Sequence, residues 1–238
     1  MIGIILAAGH ATRLYPLTKN FPKPLLEVEG RSIIDRLADD IFGTDCVDSC
    51  IVVTNHKFAG HFEKWANDRD PARITVVDDG TETNETRLGA VRDIQFALEA
   101  AGVRDDLFVM AGDNVLDFSL RGFADFAAQV QTSCVMYFEE DSLEKLQRTA
   151  VITMDEDSLI TSYEEKPQVP KSSFAVPPFY IYRRGDAARI GEALADGCSA
   201  DAPGSFAAWL SARVPVHAYR MPGKRRDIGS LAALRGEE

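Results

Sequence analysis

The sequence predicts an α/β protein, a single domain built on a mixed, mainly parallel sheet flanked by helices. Three observations carry that expectation. Short apolar runs at 2–8, 50–54, 74–77 and 107–111 alternate with amphipathic stretches, the pattern of parallel strands joined by crossover helices. A hairpin pattern at 150–164 then interrupts the alternation, so a purely parallel sheet must end there. No repeat, low-complexity segment or Gly/Ser linker divides the 238 residues, a length that suits one large domain or two small ones.

The run at 2–8 is short enough for a buried strand, and it feeds a loop with Gly9, then Arg13, then Lys19 and Lys23 between prolines. Small residues admit backbone N–H groups to a phosphate and fixed cations neutralise it, so this segment suits an anionic ligand. It is not a Walker A loop, nor does it carry the Gly-x-Gly-x-x-Gly of dinucleotide folds. Pro22 and Pro24 should hold Phe21 and Lys23 extended, so that no helix begins there.

Ser32 is placed to cap a helix with Ile33, Ile34, Leu37 and Ile41 on one face, stopping near Gly43. A second helix over 56–67 spaces Phe58, Phe62 and Trp65 as a core-packing stripe. Residues 80–87 are polar and turn-rich, and a helix over 88–101 ends at Gly102. The strand at 107–111 delivers Gly112, Asp113 and Asn114 at its C-terminal end, where ligands of open α/β sheets collect. Elements at 120–130 and 133–138 precede the hairpin, whose turn falls at 155–158. Beyond it, 171–178 reads as a loop, 179–183 as a strand, 186–195 and 205–212 as short helices, and 214–220 as a late strand.

Apolar residues make up 45% and charged residues 26%, as in an ordinary globular protein, but the net charge is −11. Nucleic acid and anionic membranes are therefore not expected partners. A phosphate ligand must be held by local cations against that field, which singles out Arg13, Lys23 and Lys166. The N-terminal run has no basic flank and is broken by His10 and Arg13, so it is not read as a signal peptide, and no segment approaches the ~20 apolar residues of a membrane span. Four scattered cysteines suit buried free thiols of a cytoplasmic protein, and Cys46 and Cys50 lack the second ligand pair of a zinc site.

Four segments carry a family resemblance: LAAGHATRLYPLT followed by PKPLLEVEG, GDN at 112–114, EEKP at 164–167, and Asp227-Ile-Gly. Together they resemble the sugar-1-phosphate nucleotidylyltransferases, relatives of glucose-1-phosphate thymidylyltransferase and mannose-1-phosphate guanylyltransferase. Departures are visible. Ala11 stands where the family often has a second glycine, 81–87 does not match the commoner wording, and Arg226 and Ser230 replace an aromatic residue and a threonine around Asp227.

The resemblance implies the Rossmann-like nucleotide-diphospho-sugar transferase fold over 1–238, with a nucleotide-binding part at about 1–130 and an acceptor-binding part at about 131–238. The sequence ends shortly after Asp227, so the C-terminal β-helix domain of some relatives is not expected. It implies transfer of a nucleoside monophosphate from an NTP to a sugar 1-phosphate, in enzymes that commonly form homo-oligomers. Carried over by motif, Leu6, Ala7, Ala8, Gly9, Leu88 and Gly89 lie against the nucleotide, with Asn84 or Glu85 placed to read the base edge. Arg13 and Lys23 bind the triphosphate, Asp113 and Asp227 hold Mg²⁺, and Gly112, Glu165 and Lys166 bind the acceptor. His10 would be a spacer or a ribose/phosphate contact, and the run 224–226 either a solvated face or extra cations near the sugar phosphate.

Three other readings stay open at this point. A cytidylyltransferase for phosphocholine would need an aromatic cage, for which Tyr163, Phe174, Phe179 and Tyr180 are candidates. A glycosyltransferase would want Asp-x-Asp, whereas Asp113 is followed by Asn114 and Val115. The third is a non-catalytic nucleotide- or sugar-phosphate-binding regulator.

Overall fold

The computed structural model describes residues 1–237. In chain order its strands and helices begin with β1 (Ile2–Leu6), β2 (Glu27–Val28), β3 (Arg31–Ser32), α1 (Ile33–Phe42), β4 (Ser49–Thr54), α2 (Ala59–Arg69) and β5 (Ile74–Asp78). Then come α3 (Ala90–Ala100), β6 (Leu107–Ala111), β7 (Asn114–Leu116), α4 (Arg121–Val130) and β8 (Ser133–Glu139). The second half holds α5 (Leu143–Leu146), β9 (Ala150–Met154), β10 (Ile160–Glu165), β11 (Phe174–Val176) and β12 (Phe179–Tyr182). It closes with α6 (Arg184–Ala187), α7 (Ile190–Ala195), α8 (Gly204–Ser211), β13 (Val216–Arg220), β14 (Arg225–Asp227) and α9 (Leu231–Arg235).

Ten strands form one mixed sheet in the order β10-β9-β11-β8-β12-β6-β1-β4-β5, with β13 pairing β8 off that path. Strands β6, β1, β4 and β5 run parallel, whereas β12, β11 and β10 enter antiparallel. Side-chain alternation sends β1 into both faces. Ile4 joins Val91, Ile94 and Tyr180 beneath α3 and α8, while Ile5 joins Leu37, Phe62 and Phe123 beneath α1, α2 and α4. Trp65 packs at the margin of the second core, donating Nε1–H to Asp35 at 3.0 Å. Among the described residues no helix is long and apolar enough to cross a membrane.

Local chemistry accounts for the helix ends. The Ser32 hydroxyl accepts the Asp35 N–H at 3.1 Å and donates to its carboxylate at 2.6 Å, a reciprocal cap that starts α1 as expected. Helix α3 starts two residues later than expected, because Gly89 adopts φ +90°, outside helical space. The Val91 N–H instead donates to the Ala200 carbonyl at 3.0 Å.

Four other expectations are corrected. Lys23–Leu25 forms a single 3₁₀ turn after an extended Pro22. Pro24 sits near the start of that turn, where a missing N–H costs nothing. The expected loop at 171–178 contains β11, a three-residue strand inserted between β8 and β9. The helix expected over 186–195 is split into α6 and α7, and the tail folds β14 against β7 as a separate two-stranded ribbon.

Candidate active site

Three chain segments meet at the C-terminal ends of β1 and β6. Gly112 lets them approach: a Cβ there would stand 3.0 Å from the Leu6 carbonyl oxygen and 3.1 Å from Pro24. The Lys23 turn therefore seats against the strand ends. Its ammonium donates to Asp113 Oδ2 at 2.8 Å and lies 4.0 Å from Asp227 Oδ1, with the lysine side chain only 11% exposed. Asp227 arrives through the β7–β14 ribbon, in which it pairs with Asn114, and the Ile228 N–H donates to the Asp113 carbonyl at 3.0 Å.

Asn114 orders this cluster from below. Its amide donates to Asp113 Oδ1 at 2.9 Å and accepts from Arg225 Nη1 at 2.7 Å, and that guanidinium nitrogen lies 3.8 Å from Asp227 Oδ2. Partial desolvation, and next the Asp113 carboxylate, push the Asp227 carboxyl above its usual range, while Arg225, Lys23 and Arg13 pull it back. A pocket of ≈ 240 Å³ opens above the cluster, lined by Leu6, Ala7, Gly9, Arg13, Gly112, Asp113 and Asp227 among others. Three chain-distant motifs thus reach one cleft.

Of the other residues expected at the nucleotide, Ala8, Asn84, Leu88 and Gly89 do not line this pocket. Ala8 is buried and its carbonyl accepts from Asn55 Nδ2 at 2.8 Å, which fixes the loop to β4. Ala11 holds a left-handed conformation, φ 46° and ψ 44°, and its carbonyl accepts the Thr18 hydroxyl at 2.8 Å. His10 is buried near Phe58, and burial followed by the Lys57 charge lowers its pKa. Asn84 is exposed, its carbonyl accepting from Arg87 at 2.9 Å, and Leu88 is half-buried. A Cβ on Gly89 would lie 2.6 Å from the Ala200 carbonyl oxygen, so its glycine is required by chain packing on that side.

Of the residues expected at the acceptor, Glu165 ends β10 and Lys166 follows it. Burial raises the Glu165 pKa, against the pull of Lys166 and with a further push from Asp201. Gly204 leaves room for this group: a Cβ there would stand 2.6 Å from Glu165 Oε2, 2.7 Å from Tyr163 Oη and 3.3 Å from Tyr180 Oη. Lys166 is exposed and has φ +49°, a strained conformation for a lysine, with its N–H on the Thr149 carbonyl at 3.1 Å. No contact joins its ammonium to Lys23, Asp113 or Asp227 among the described residues. A larger groove of ≈ 1030 Å³ is lined by Thr149 and also by Asp227, but not by Lys166 itself. Of the four aromatics of a hypothetical cage, Tyr163, Tyr180 and Phe174 belong to the core of Ile4, with the Tyr163 and Tyr180 hydroxyls together beside Gly204 and Phe174 packed on Tyr137 at 5.2 Å, whereas Phe179 faces the core of Ile5.

Sequence reasoning gave Asn114 no role of its own and left Arg225 within the run 224–226, read as either a solvated face or extra cations near the sugar phosphate. The signal for Asn114 was its place beside Asp113. For Arg225 it was only a basic run whose ribbon pairing was not foreseen.

The description "Nucleotidyl transferase" matches the chain over residues 2–235. The chain is similar to a glucose-1-phosphate adenylyltransferase of Bacillus licheniformis, 23% identical over 251 residues, covering 98% of this chain and 65% of that protein. It is also similar to the UTP–glucose-1-phosphate uridylyltransferase AglF of Haloferax volcanii, 25% identical, covering 76% of this chain and 72% of that protein. Among solved structures it resembles a protein described as a glucose-1-phosphate thymidylyltransferase from Bacillus anthracis, in complex with sucrose. The TM-score is 0.82 at 24% identity, over 98% of this chain and 92% of that one, a likeness of fold.

Proposed function

The chain belongs to the nucleotidyl transferase family, and from that premise we propose that it joins an NTP and a sugar 1-phosphate to give a nucleotide-sugar and pyrophosphate. The observation that carries the proposal is the convergence of Lys23, Asp113 and Asp227 above the Leu6–Gly9 segment. The names of the similar proteins support the acceptor class, because they vary in the nucleotide and share glucose 1-phosphate.

Both substrates are anions, a phosphate monoester carrying about −1.5 to −2 at pH 7. Bringing them together is the obstacle, so the protein's work is positioning and charge neutralisation. Gly9 exposes backbone to the nucleotide, and Arg13 and Lys23 neutralise the triphosphate and the charge that builds on the departing pyrophosphate. Lys166 holds the acceptor phosphate and Glu165 accepts hydrogen bonds from sugar hydroxyls. The acceptor phosphate is already ionised at neutral pH and needs no general base.

Asp113 and Asp227 fit Mg²⁺. The Asp113 carboxylate is close enough to raise the proton affinity of Asp227, and Mg²⁺ is commonly bound through one or two carboxylates together with substrate phosphates. Bound there, the ion would supply charge neutralisation at phosphate oxygens. The division near residue 130 is then one of substrates only, because the later half also contributes Asp227. Four free thiols support a reducing, cytoplasmic setting.

The test is incubation with each NTP in turn, Mg²⁺ and a set of sugar 1-phosphates, following pyrophosphate. Release that requires both a particular NTP and a sugar 1-phosphate is expected. NTP binding with no pyrophosphate from any pairing would make the protein a non-catalytic binder, and release with phosphocholine alone would make it a cytidylyltransferase of the other class.

A further inference from the structure

The ≈ 1030 Å³ groove that meets the cleft at Asp227 is larger than a monosaccharide requires, at the upper end of the range for small-molecule sites. It is also locally cationic in a chain of net charge −11. Seven basic and five acidic side chains line it.

Several of those cations are neutralised in place. Arg226 pairs with Glu29 at 2.9 Å, Arg220 with Glu139 at 2.9 Å, Lys145 with Glu140 at 3.5 Å, and Arg148 with Glu144 at 2.8 Å. Two are not. Lys224 makes no side-chain ion pair among the described residues; its backbone is engaged with Asp117, donating N–H to Oδ1 at 2.6 Å and accepting the Asp117 N–H at 3.2 Å. Arg36 spends Nη2 on the Val28 carbonyl at 2.7 Å and leaves a buried Nε–H without a partner. Arg36 with its unpartnered donor and Lys224 without an ion pair both line the groove, and both favour an anion there. The floor, from Val115, Leu116, Phe138 and Met221, is apolar enough to strengthen such an interaction.

We infer that this groove receives a second anionic group on the acceptor, so that the preferred acceptor is a sugar 1-phosphate bearing a further carboxylate or phosphate. The inference rests on the proposed transferase reading and narrows its substrate class. Asp227 lines both the cleft and the groove, and the Thr149 carbonyl, at the groove, accepts the Lys166 backbone N–H at 3.1 Å; with the acceptor phosphate near Lys166, the groove would be left for the far end of the sugar.

The experiment compares glucose 1-phosphate, glucuronic acid 1-phosphate and glucose 1,6-bisphosphate as acceptors by pyrophosphate release, in the wild type, Lys224→Ala and Arg36→Gln. A charge-assisted contact corresponds to a KM lower by about tenfold for the anionic acceptors. Lys224→Ala should remove most of that advantage and leave the KM for glucose 1-phosphate unchanged, with Arg36→Gln acting in the same direction. Carboxylate and phosphate arms identify which anion is preferred. Equal KM values for neutral and anionic acceptors, or an equal rise for both in the variants, would overturn the inference while leaving the transferase reading intact. If no acceptor turns over, calorimetric binding of glucuronic acid 1-phosphate against glucose 1-phosphate decides it, and equal affinity would refute it.

Discussion

Lys23 and Asp113, ninety positions apart in the sequence, form an ion pair of 2.8 Å at the point where β1 and β6 end side by side. The contact depends on backbone geometry. Gly112 admits the turn at Lys23–Leu25, and Asn114 holds the other carboxylate oxygen of Asp113 at 2.9 Å. Lys23 thereby faces the cleft with its charge shared between two carboxylates, ready for a phosphate oxygen as a better partner.

Asp227→Asn removes one of the two carboxylates and the repulsion that raises its proton affinity. The fold should persist, because Asp227 is 54% exposed and its ribbon contacts are made by backbone. Pyrophosphate release should fall at least ~10²-fold and no longer respond to added Mg²⁺. Undiminished release would leave Asp227 a structural residue.

A second pair of carboxylates sets a pH dependence of stability. Asp93 on α3 is buried against Asp79, and burial, then the Asp79 charge, push its pKa from 3.8 to about 7. The folded protein therefore binds a proton between about pH 4 and pH 7 that the unfolded chain releases, so stability falls as pH rises through that window and levels off above it. Asp93→Asn should be close to neutral near pH 4 and stabilising at pH 8, on the order of a few kcal/mol. Urea unfolding of both proteins at the two pH values checks the sign; a variant less stable at pH 8 would refute it.

Ala11→Gly tests the loop. The left-handed backbone at Ala11 costs an alanine about 1–2 kcal/mol, and glycine offsets most of that against its own flexibility in the unfolded chain. The variant should keep full activity and gain up to about 1 kcal/mol in denaturant unfolding. A large loss of activity would mean that the methyl group itself contacts the nucleotide.

Much of this architecture was legible before any coordinates. The β1, β4, β5 and β6 strands announced themselves as short apolar runs, and Ser32 with the Ile33–Ile41 stripe announced α1. Asp113 could be placed at the cleft because ligands collect at the ends of parallel strands, and Lys23 because it sits in a cationic loop after β1, whereas Asp227 was assigned there only through the family resemblance of its motif. What stayed hidden was short or held by distant chain. Strand β11 has three residues between a serine pair and a proline pair, too few for an alternation to show. Strand β14 is Arg-Arg-Asp, which has the composition of a solvated run and forms only because β7 offers it a partner. The late start of α3 is set by carbonyls at 200 and 201, more than a hundred residues away. Lys166 was expected in the cleft itself, and its motif did not reveal that its backbone would turn left-handed and that it would stand outside the cleft's lining.

The most direct measurement is the turnover of Lys23→Ala, with folding checked by circular dichroism and substrates saturating. If Lys23 neutralises charge on the reacting phosphates, the loss should be on the order of 3 kcal/mol, or ~10²-fold in kcat. Near-normal turnover by a correctly folded variant would contradict the account, because the ion pair with Asp113 would then serve only to hold two strands' ends together.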